Sequence, residues 1–284
     1  MSSIPPELQR KEAALEARLR AAGSVLVAFS GGVDSSYLAL AAHRALGAGA
    51  LAVTAVSPSY PASHRAVAEQ VVGGFGLAHR FVDTREMESA DYRANRPDRC
   101  YHCKSELFSV LGRVRDELGF AAVAYGVNTD DLGDFRPGHR AADESGVLSP
   151  FLDVGLGKAE IRALSRAAGL PTADLPASAC LASRLPYGTE VTAERLAQVD
   201  AGEERLRALG FRQLRVRHHG SLARVEIDPA ELPRALDPEM ARRIVAALKP
   251  LGFRFVSLDL EGYRTGALNE VLPLATTAAG RALS

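Results

Sequence analysis

Apolar residues in the first two thirds of the chain alternate between two spacings. Short continuous apolar runs, typical of buried parallel strands, alternate with segments whose apolar residues recur at helical intervals. The predicted strands are 24–29, 50–56, 78–83 and 121–125, and the predicted helices are 5–22, 36–46, 62–75, 104–118 and 158–168. This alternation predicts an α/β fold with a doubly wound parallel sheet.

The pattern changes from residue 192 onward. A predicted helix at 193–209 is followed by two alternating strands, 213–218 and 222–227, that pair across a short turn. A helix at 238–248 and a strand at 253–260 complete this part. We therefore expect a smaller α+β domain over residues 186–284, after a first domain over residues 1–185, with the turn-rich stretch 185–189 as the linker.

Composition narrows the function classes. The chain has 284 residues, 47% of them hydrophobic, and 34 basic residues balance 34 acidic ones. A balanced charge gives no general attraction to a nucleic-acid backbone, so we expect no long nucleic-acid partner. No apolar run approaches the roughly 20 residues that span a bilayer, and the charged N-terminus lacks a signal-peptide pattern, so we expect a cytoplasmic protein without membrane contact.

The most informative motif is a glycine-rich loop between the first predicted strand and the next helix. It consists of Ser30, Gly31, Gly32, Val33, Asp34, Ser35 and Ser36. Glycines let the backbone approach a phosphate, a helix N-terminus offers amide groups, and the serines add hydroxyl donors. Asp34 could hold Mg²⁺, and no Walker lysine is present. The loop resembles the PP-loop signature of ATP pyrophosphatases, which form adenylates and release pyrophosphate.

A second polar segment follows the predicted strand 121–125. Gly126, Asn128 and Asp131 lie at its carboxyl end, where doubly wound folds bind ligands, and we expect them to extend the nucleotide site. An ordinary acidic turn with Asn128 as a cap is the alternative interpretation.

The chain has three cysteines, an odd number that favours metal or catalytic chemistry over disulfides. Cys100 and Cys103 form a C-x-x-C, which is compatible with a zinc half-site, a redox pair or cluster ligands. Cys180 lies near Arg184, a cation that would favour a nucleophilic thiolate; a small buried residue is the alternative. Three thiolates could also hold a [4Fe-4S] cluster with one open iron, or Cys180 could donate its own sulfur.

Four motifs together resemble the LarE family, the pyridinium-3,5-biscarboxylic acid mononucleotide sulfurtransferases. They are the phosphate loop, the C-x-x-C, the segment 126–131 with residues 136–138, and the run 179–188; residues 215–217, 223–226 and 259–264 match as well. The resemblance covers nearly the whole chain. It implies adenylation of a substrate carboxylate and its conversion to a thiocarboxylate, in building the nickel-pincer nucleotide cofactor of lactate racemase. The three cysteines resemble family members that use a cluster rather than sacrificing Cys180.

The resemblance also implies site residues. Cys180, Asp34 and Arg184 would be catalytic, and the substrate would contact Ser183, Arg184, Arg215, Arg217 and Arg264. The alternative for Arg215 and Arg217 is a solvated strand face. Glu203 and Glu226 could bind a divalent metal or could equally be solvated surface acids.

Other functions stay open at this point. A PP-loop thiolase acting on tRNA would need a basic surface, an amide-forming synthetase would not need Cys180, and a non-catalytic nucleotide-binding protein would release no pyrophosphate. We expect a small-molecule substrate and a homo-oligomer, and a separate protein could donate the sulfur.

Overall fold

The computed structural model describes residues 4–133, 138–176, 179–264 and 266–271. Its larger sheet has four parallel strands in the order β3-β2-β1-β4. The strands are β1 (Val25–Ala28), β2 (Ala50–Val56), β3 (His79–Asp83) and β4 (Ala122–Tyr125). The helices around it are α1 (Pro6–Ala21), α2 (Val33–Leu46), α3 (Ala62–Phe75), α4 (Ala90–Arg93), α5 (Arg99–Leu118), α6 (Gly138–Glu144), α7 (Pro150–Asp153) and α8 (Lys158–Ala167).

Helices cover both faces of this sheet. Successive residues of β1 point to opposite sides: Val25 and Val27 pack with Leu38 of α2, whereas Leu26 packs with Leu111 of α5. Continuous apolar strands are expected when both faces are buried. The prediction of a doubly wound parallel α/β fold is confirmed.

A second sheet follows helix α9 (Ala193–Ala208). Its strands β5 (Leu214–His219) and β6 (Leu222–Ile227) are antiparallel, and β7 (Phe255–Leu258) joins β6 in parallel. Helices α10 (Leu232–Leu236) and α11 (Pro238–Leu248) pack on the sheet around a separate apolar core. The smaller α+β part is therefore present, although a third cluster combines side chains from both sides of residue 185. The domain boundary at that residue stays a prediction.

Two helix starts differ from the predicted ones in a way that matters for function. Helix α2 begins at Val33, and α5 begins at Arg99, so the end of the phosphate loop and the whole C-x-x-C are helical. Apolar periodicity begins later in both helices, which explains the difference. Arg136 and Pro137, part of one matched motif, lie outside the described residues. Within the described part of the chain, no helix is long and apolar enough to cross a membrane.

Candidate active site

The predicted phosphate loop connects the carboxyl end of β1 to the start of α2. Gly31 has a φ of 79°, and a Cβ on it would lie 3.0 Å from the carbonyl oxygen of His64. Both its conformation and its surroundings therefore favour glycine. Gly32 is the N-cap residue of α2, and it has no side chain to bond the first amide groups of the helix. Those amide groups are well placed to meet an anion.

The hydroxyl groups of the loop bond mainly to the loop itself. Ser35 Oγ accepts a hydrogen bond from Ser30 N at 3.2 Å and donates to Gly32 O at 3.1 Å. Ser36 is fully buried. Ser30 is exposed, so it is the hydroxyl best placed to meet a phosphate. Ser36 Oγ has no hydrogen-bond partner among the described residues, and phosphate binding by the three serines stays a prediction.

Asp34 lies in the first turn of α2 and pairs with Lys158, the first residue of α8. Its Oδ1 atom is buried and has no hydrogen-bond partner among the described residues. Burial raises the pKa of Asp34, Lys158 lowers it, and the charge of Asp131 raises it again. A buried, incompletely bonded carboxylate close to a second one favours a bound cation. These residues therefore fit the predicted Mg²⁺, which Asp34 would hold beside the phosphate loop.

The segment after β4 packs directly on the phosphate loop. A Cβ on Gly126 would lie 3.2 Å from Ser35 N, so the close approach depends on glycine. Asn128 is buried, its Oδ1 accepts from Asp130 N at 3.0 Å, and its backbone N donates to Asp131 Oδ2 at 3.1 Å. Asn128 therefore shapes a turn, as the alternative interpretation had it. Nucleotide binding by this segment stays a prediction.

The three cysteines come from two segments that pack against each other. Cys100 and Cys103 lie in the first two turns of α5, and Cys180 precedes a single helical turn, Leu181–Arg184. Cys100 reaches the surface, while Cys103 and Cys180 are half-buried against one apolar cluster. Although part of Cys100 reaches the surface, its thiol is largely shielded from water, and this desolvation raises the pKa of Cys100, as burial raises the pKa of Cys103. The charge of Cys180 also raises both pKa values. The thiols are thus close enough to interact, in surroundings that disfavour thiolates at positions 100 and 103.

The predicted iron–sulfur cluster on Cys100, Cys103 and Cys180 stays a prediction. Among the described residues, no group of three His, Cys, Asp or Glu side chains is arranged to hold a metal ion. Coordination to iron itself removes the proton of a thiol, so the raised pKa values of the metal-free thiols are compatible with cluster binding.

Arg184 is fully buried and holds the loop of Cys180 in place. Its Nε and Nη2 donate to the two carboxylate oxygens of Glu203 at 2.8 and 3.0 Å. Its Nη1 donates to Ala179 O and Cys180 O at 2.6 and 3.0 Å. All three nitrogens are therefore used within the protein. Arg184 therefore holds the loop of Cys180 in place, and its predicted catalytic and substrate-binding roles stay predictions.

Glu203 and Glu226 are buried acids paired with arginines. Glu203 also accepts from Arg207 at 2.9 Å, and Glu226 accepts from Arg217 at 2.9 and 2.7 Å and from Arg224 at 3.0 Å. Burial raises the pKa of Glu203, but the arginines lower it by more, so its pKa lies below the usual value. Glu203 and Glu226 are therefore not solvated surface acids, because both carboxylates are removed from solvent. Their oxygens are occupied by arginines rather than open to a divalent metal.

Three of the predicted substrate arginines, Arg184, Arg217 and Arg264, line one cavity of about 280 Å³. Arg217 reaches it from β5 and Arg264 from the segment after β7. Arg217 Nη1 also donates to Ser183 O at 2.8 Å, which connects the cavity to the loop of Cys180. Ser183 Oγ bonds locally, to Cys180 O at 2.8 Å. The structure therefore places Arg217, Arg264 and the predicted sulfur-bearing loop in one region.

Arg215, the fourth of these arginines, lies close enough to Arg184 and Arg217 for their charges to act on it. Its guanidinium is 5.0 Å from the ring centroid of Tyr263, and its Nη1 donates to Leu214 O at 2.7 Å. Burial, helped by Arg184, lowers the pKa of Arg215 to about 10. Arg215 and Arg217 are 7% and 6% exposed, so the alternative of a solvated strand face is wrong for both.

Three residues of this region carry no signal in the sequence. Lys158 is 124 positions from Asp34 along the chain, and no local pattern links the two. Asn95 and Arg99 lie in a stretch without apolar periodicity, yet both are buried beside the loop that follows Cys180. Their positions become meaningful only once the chain is folded.

Comparison with known proteins adds to this picture. The asparagine synthase family model matches residues 9–110, which include the phosphate loop. An uncharacterized protein of Synechocystis sp. is 44% identical over 247 residues, covering 87% of this chain and 92% of its own length. The pyridinium-3,5-bisthiocarboxylic acid mononucleotide synthase of Lactiplantibacillus plantarum is 36% identical over 277 residues, covering 95% and 98%.

A four-stranded parallel sheet with an S-G-G-x-D-S loop at the end of β1 defines a protein of the PP-loop superfamily, whose members use ATP. Within that class, similarity to the Lactiplantibacillus plantarum synthase extends over nearly the full length of both chains. The chain belongs to the LarE family, and the resemblance seen in the sequence is confirmed.

Proposed function

We propose that this protein is an ATP-dependent sulfurtransferase that acts on pyridinium-3,5-biscarboxylic acid mononucleotide. It would adenylate a carboxylate and replace one oxygen with sulfur, as a step toward the nickel-pincer nucleotide cofactor of lactate racemase. The observation that carries the proposal is the Arg217–Ser183 hydrogen bond, which joins the arginine-lined cavity to the loop of Cys180. Similarity to the pyridinium-3,5-bisthiocarboxylic acid mononucleotide synthase of Lactiplantibacillus plantarum supports this choice of substrate.

Adenylation would occur at the phosphate loop. The amide groups at the start of α2 and the Lys158 ammonium would bind the phosphates of ATP. Asp34 would hold Mg²⁺, which neutralises charge on the departing pyrophosphate. A substrate carboxylate oxygen attacks the α-phosphorus, the bond to pyrophosphate breaks, and an acyl adenylate forms. Because Lys158 pairs with Asp34 in the structure, it would exchange that carboxylate for phosphate when the nucleotide and cation bind.

Sulfur transfer would occur at Cys180. Its thiolate attacks the acyl carbon and AMP leaves, which gives a thioester between substrate and protein. Loss of the Cys180 α-proton to a base then breaks the Cβ–S bond. The products are a substrate thiocarboxylate and dehydroalanine in the chain. In the alternative route, Cys100, Cys103 and Cys180 would hold a [4Fe-4S] cluster and Cys180 would keep its own sulfur.

The test is anaerobic incubation with ATP, Mg²⁺ and the pyridinium dicarboxylate mononucleotide. We expect AMP, pyrophosphate and a substrate whose mass shows oxygen replaced by sulfur. Pyrophosphate without a sulfur-containing product would instead indicate an amide-forming synthetase, and activity on tRNA alone would indicate a thiolase of another family. A homo-oligomer and a sulfur-donating partner protein remain proposals, which light scattering and pull-down of a persulfide donor would test.

A further inference from the structure

A buried polar side chain holds the segment that follows Cys180. Asn95 is fully buried, and it has the only positive φ, 52°, of any described residue other than glycine. Asparagine tolerates this left-handed conformation better than most side chains. The residue lies just after α4, and it is four positions before α5 begins at Arg99.

Asn95 bonds to the loop at three points. Its Nδ2 donates to Pro186 O at 2.8 Å and to Thr189 O at 2.9 Å. Its backbone carbonyl accepts from Gly188 N at 3.0 Å. The side-chain amide thus satisfies two loop carbonyl groups, and the Asn95 backbone carbonyl satisfies the Gly188 N–H. These contacts fix the conformation of the loop, because each group would otherwise lose its partner away from water.

Arg99 connects this loop to the C-x-x-C. Its guanidinium is 4% exposed, and Nη1 donates both to Asn95 Oδ1 and, at 2.9 Å, to Ala182 O. Ala182 lies two residues after Cys180, and Arg99 immediately precedes Cys100. One buried cation therefore bridges the two segments that carry the three thiols, and the charge-assisted bonds it makes are among the stronger ones in proteins.

We propose that Asn95 and Arg99 are positioning residues that hold the loop of Cys180 against the C-x-x-C, so that sulfur chemistry at Cys180 takes place beside Cys100 and Cys103. This assignment rests on the proposed function for its chemical meaning, but its geometry can be tested alone. Neither side chain needs to touch the substrate. Each acts through the backbone carbonyls that set where the Cys180 thiol lies.

The experiment measures thiol proximity in the metal-free, reduced protein. A short bifunctional thiol reagent is added, and digestion followed by mass spectrometry gives the ratio of Cys180–Cys100 and Cys180–Cys103 links to Cys100–Cys103 links. The last link lies within α5 and serves as an internal control. Because the effective concentration of tethered groups depends on their spacing, Asn95→Asp and Arg99→Lys should lower this ratio on the order of tenfold. Asn95→Asp keeps the acceptor but loses both Nδ2 donors.

Arg96→Lys is the matched control. Arg96 lies between Asn95 and Arg99 in the chain, but its Nη1 faces Asp91 Oδ1 at 3.8 Å, and both side chains are exposed. The cross-link ratio of this control variant should equal that of the natural protein. If Asn95→Asp does not fold, Asn95→Gly removes the side chain while keeping the positive φ accessible. An unchanged ratio in a folded Asn95 or Arg99 variant would overturn the assignment.

A second readout connects the residues to turnover. The folded variants should still release pyrophosphate with substrate, while the thiocarboxylate formed per pyrophosphate falls in parallel with the cross-link ratio. A general loss of stability would lower both products together. If the natural protein releases no pyrophosphate at all, the proposed function fails, whereas the cross-link ratio still decides the positioning role.

Discussion

A carboxylate at the start of α2 is placed where a charge is costly unless something compensates it. Asp34 is incompletely bonded, and burial raises its pKa despite the adjacent Lys158. Such a group gains most when a cation and phosphates arrive, because the ligand then supplies charges that the apo-protein lacks. The pairing with Lys158 therefore describes a site that is prepared to exchange partners.

Replacement of Asp34 by Asn tests this exchange. The variant should fold normally, since the ionised carboxyl is disfavoured by burial and the amide has nearly the same shape. Pyrophosphate release should fall by at least about 100-fold, because the ligand for the charge-stabilising cation is lost. Pyrophosphate assays together with thermal unfolding separate the two effects. Near-normal adenylation would remove Asp34 from the mechanism.

Replacement of Lys158 by Met should weaken ATP binding. A lost charge-assisted contact to phosphate corresponds to roughly a 10- to 100-fold rise in the dissociation constant. Lys11→Met is the control, since Lys11 pairs with Glu160 on the same helix but is not the partner of Asp34. Titration calorimetry with ATP and Mg²⁺ measures both variants. Equal affinities for the two would show that Lys158 does not reach the nucleotide.

At the scale of elements, the short strand β5 presents charged side chains to the protein interior. Arg217 pairs with Glu226 on the neighbouring strand β6. The carboxylate of Glu203 on α9 accepts a hydrogen bond from Val216 N at 3.2 Å and pairs with Arg184. Removing one member of such a buried ion pair lowers the stability of the fold far more than removing one member of a surface pair. The second sheet thus depends on these acids for the placement of the loop around Cys180.

We expect Glu203→Gln to lower the free energy of unfolding by about 3–5 kcal/mol at neutral pH, since the charges of Arg184 and Arg207 lose their partner. The pKa of Glu203 lies below its ordinary 4.5, so the stabilisation is complete above that pH and is lost as pH falls through the lower folded value. The difference in the free energy of unfolding between the variant and the natural protein should therefore become smaller at acidic pH. Chemical unfolding at several pH values measures it.

Glu69→Gln provides the comparison. Glu69 pairs with Arg65 one helical turn away, and both side chains are about half exposed, 54% and 50%. Its replacement should leave stability unchanged at every pH. A Glu203 variant that behaved in the same way would contradict the structural role of the buried pair.

How far the sequence predicts the structure depends on the range of the interactions involved. Apolar spacing correctly predicted the strands of the large sheet and placed α3 and α11, because those signals are local. The alternative of a solvated face for the arginines of β5 was wrong, since the pairing of Arg217 with Glu226 requires the neighbouring strand. The contact between Asp34 and Lys158 likewise depends on how α8 packs beside α2, which no local pattern encodes.

At the scale of the whole molecule, the chain between the two sheets does more than link them. The residues after Cys180 contribute Leu181, Leu185 and Val191 to one apolar cluster with Leu196 of α9 and Tyr92 of the first part. Arg184 and Arg217 add polar connections to α9 and β5. The predicted ATP site, the thiols and the arginine-lined cavity are thereby held in one continuous structure, as a reaction with two chemical steps requires.

The source of the sulfur is the remaining prediction. If Cys180 gives up its own sulfur, intact mass after one turnover should fall by the mass of hydrogen sulfide, and tryptic peptides should place dehydroalanine at residue 180. Cys100→Ala and Cys103→Ala should then still complete one turnover, since neither thiol is consumed.

A cluster held by all three cysteines predicts the opposite behaviour of the single Cys→Ala variants. Anaerobic reconstitution would give about four irons per chain with broad visible absorption, and each single Cys→Ala change would abolish both. An unchanged intact mass after turnover by iron-loaded protein would therefore overturn the sacrificial route, whereas dehydroalanine in protein that never binds iron would establish it. We expect the loss of hydrogen sulfide, because the hydrogen bond from Arg217 to Ser183 O holds the loop of Cys180 beside the arginine-lined cavity, where its thiol could meet an activated carboxylate.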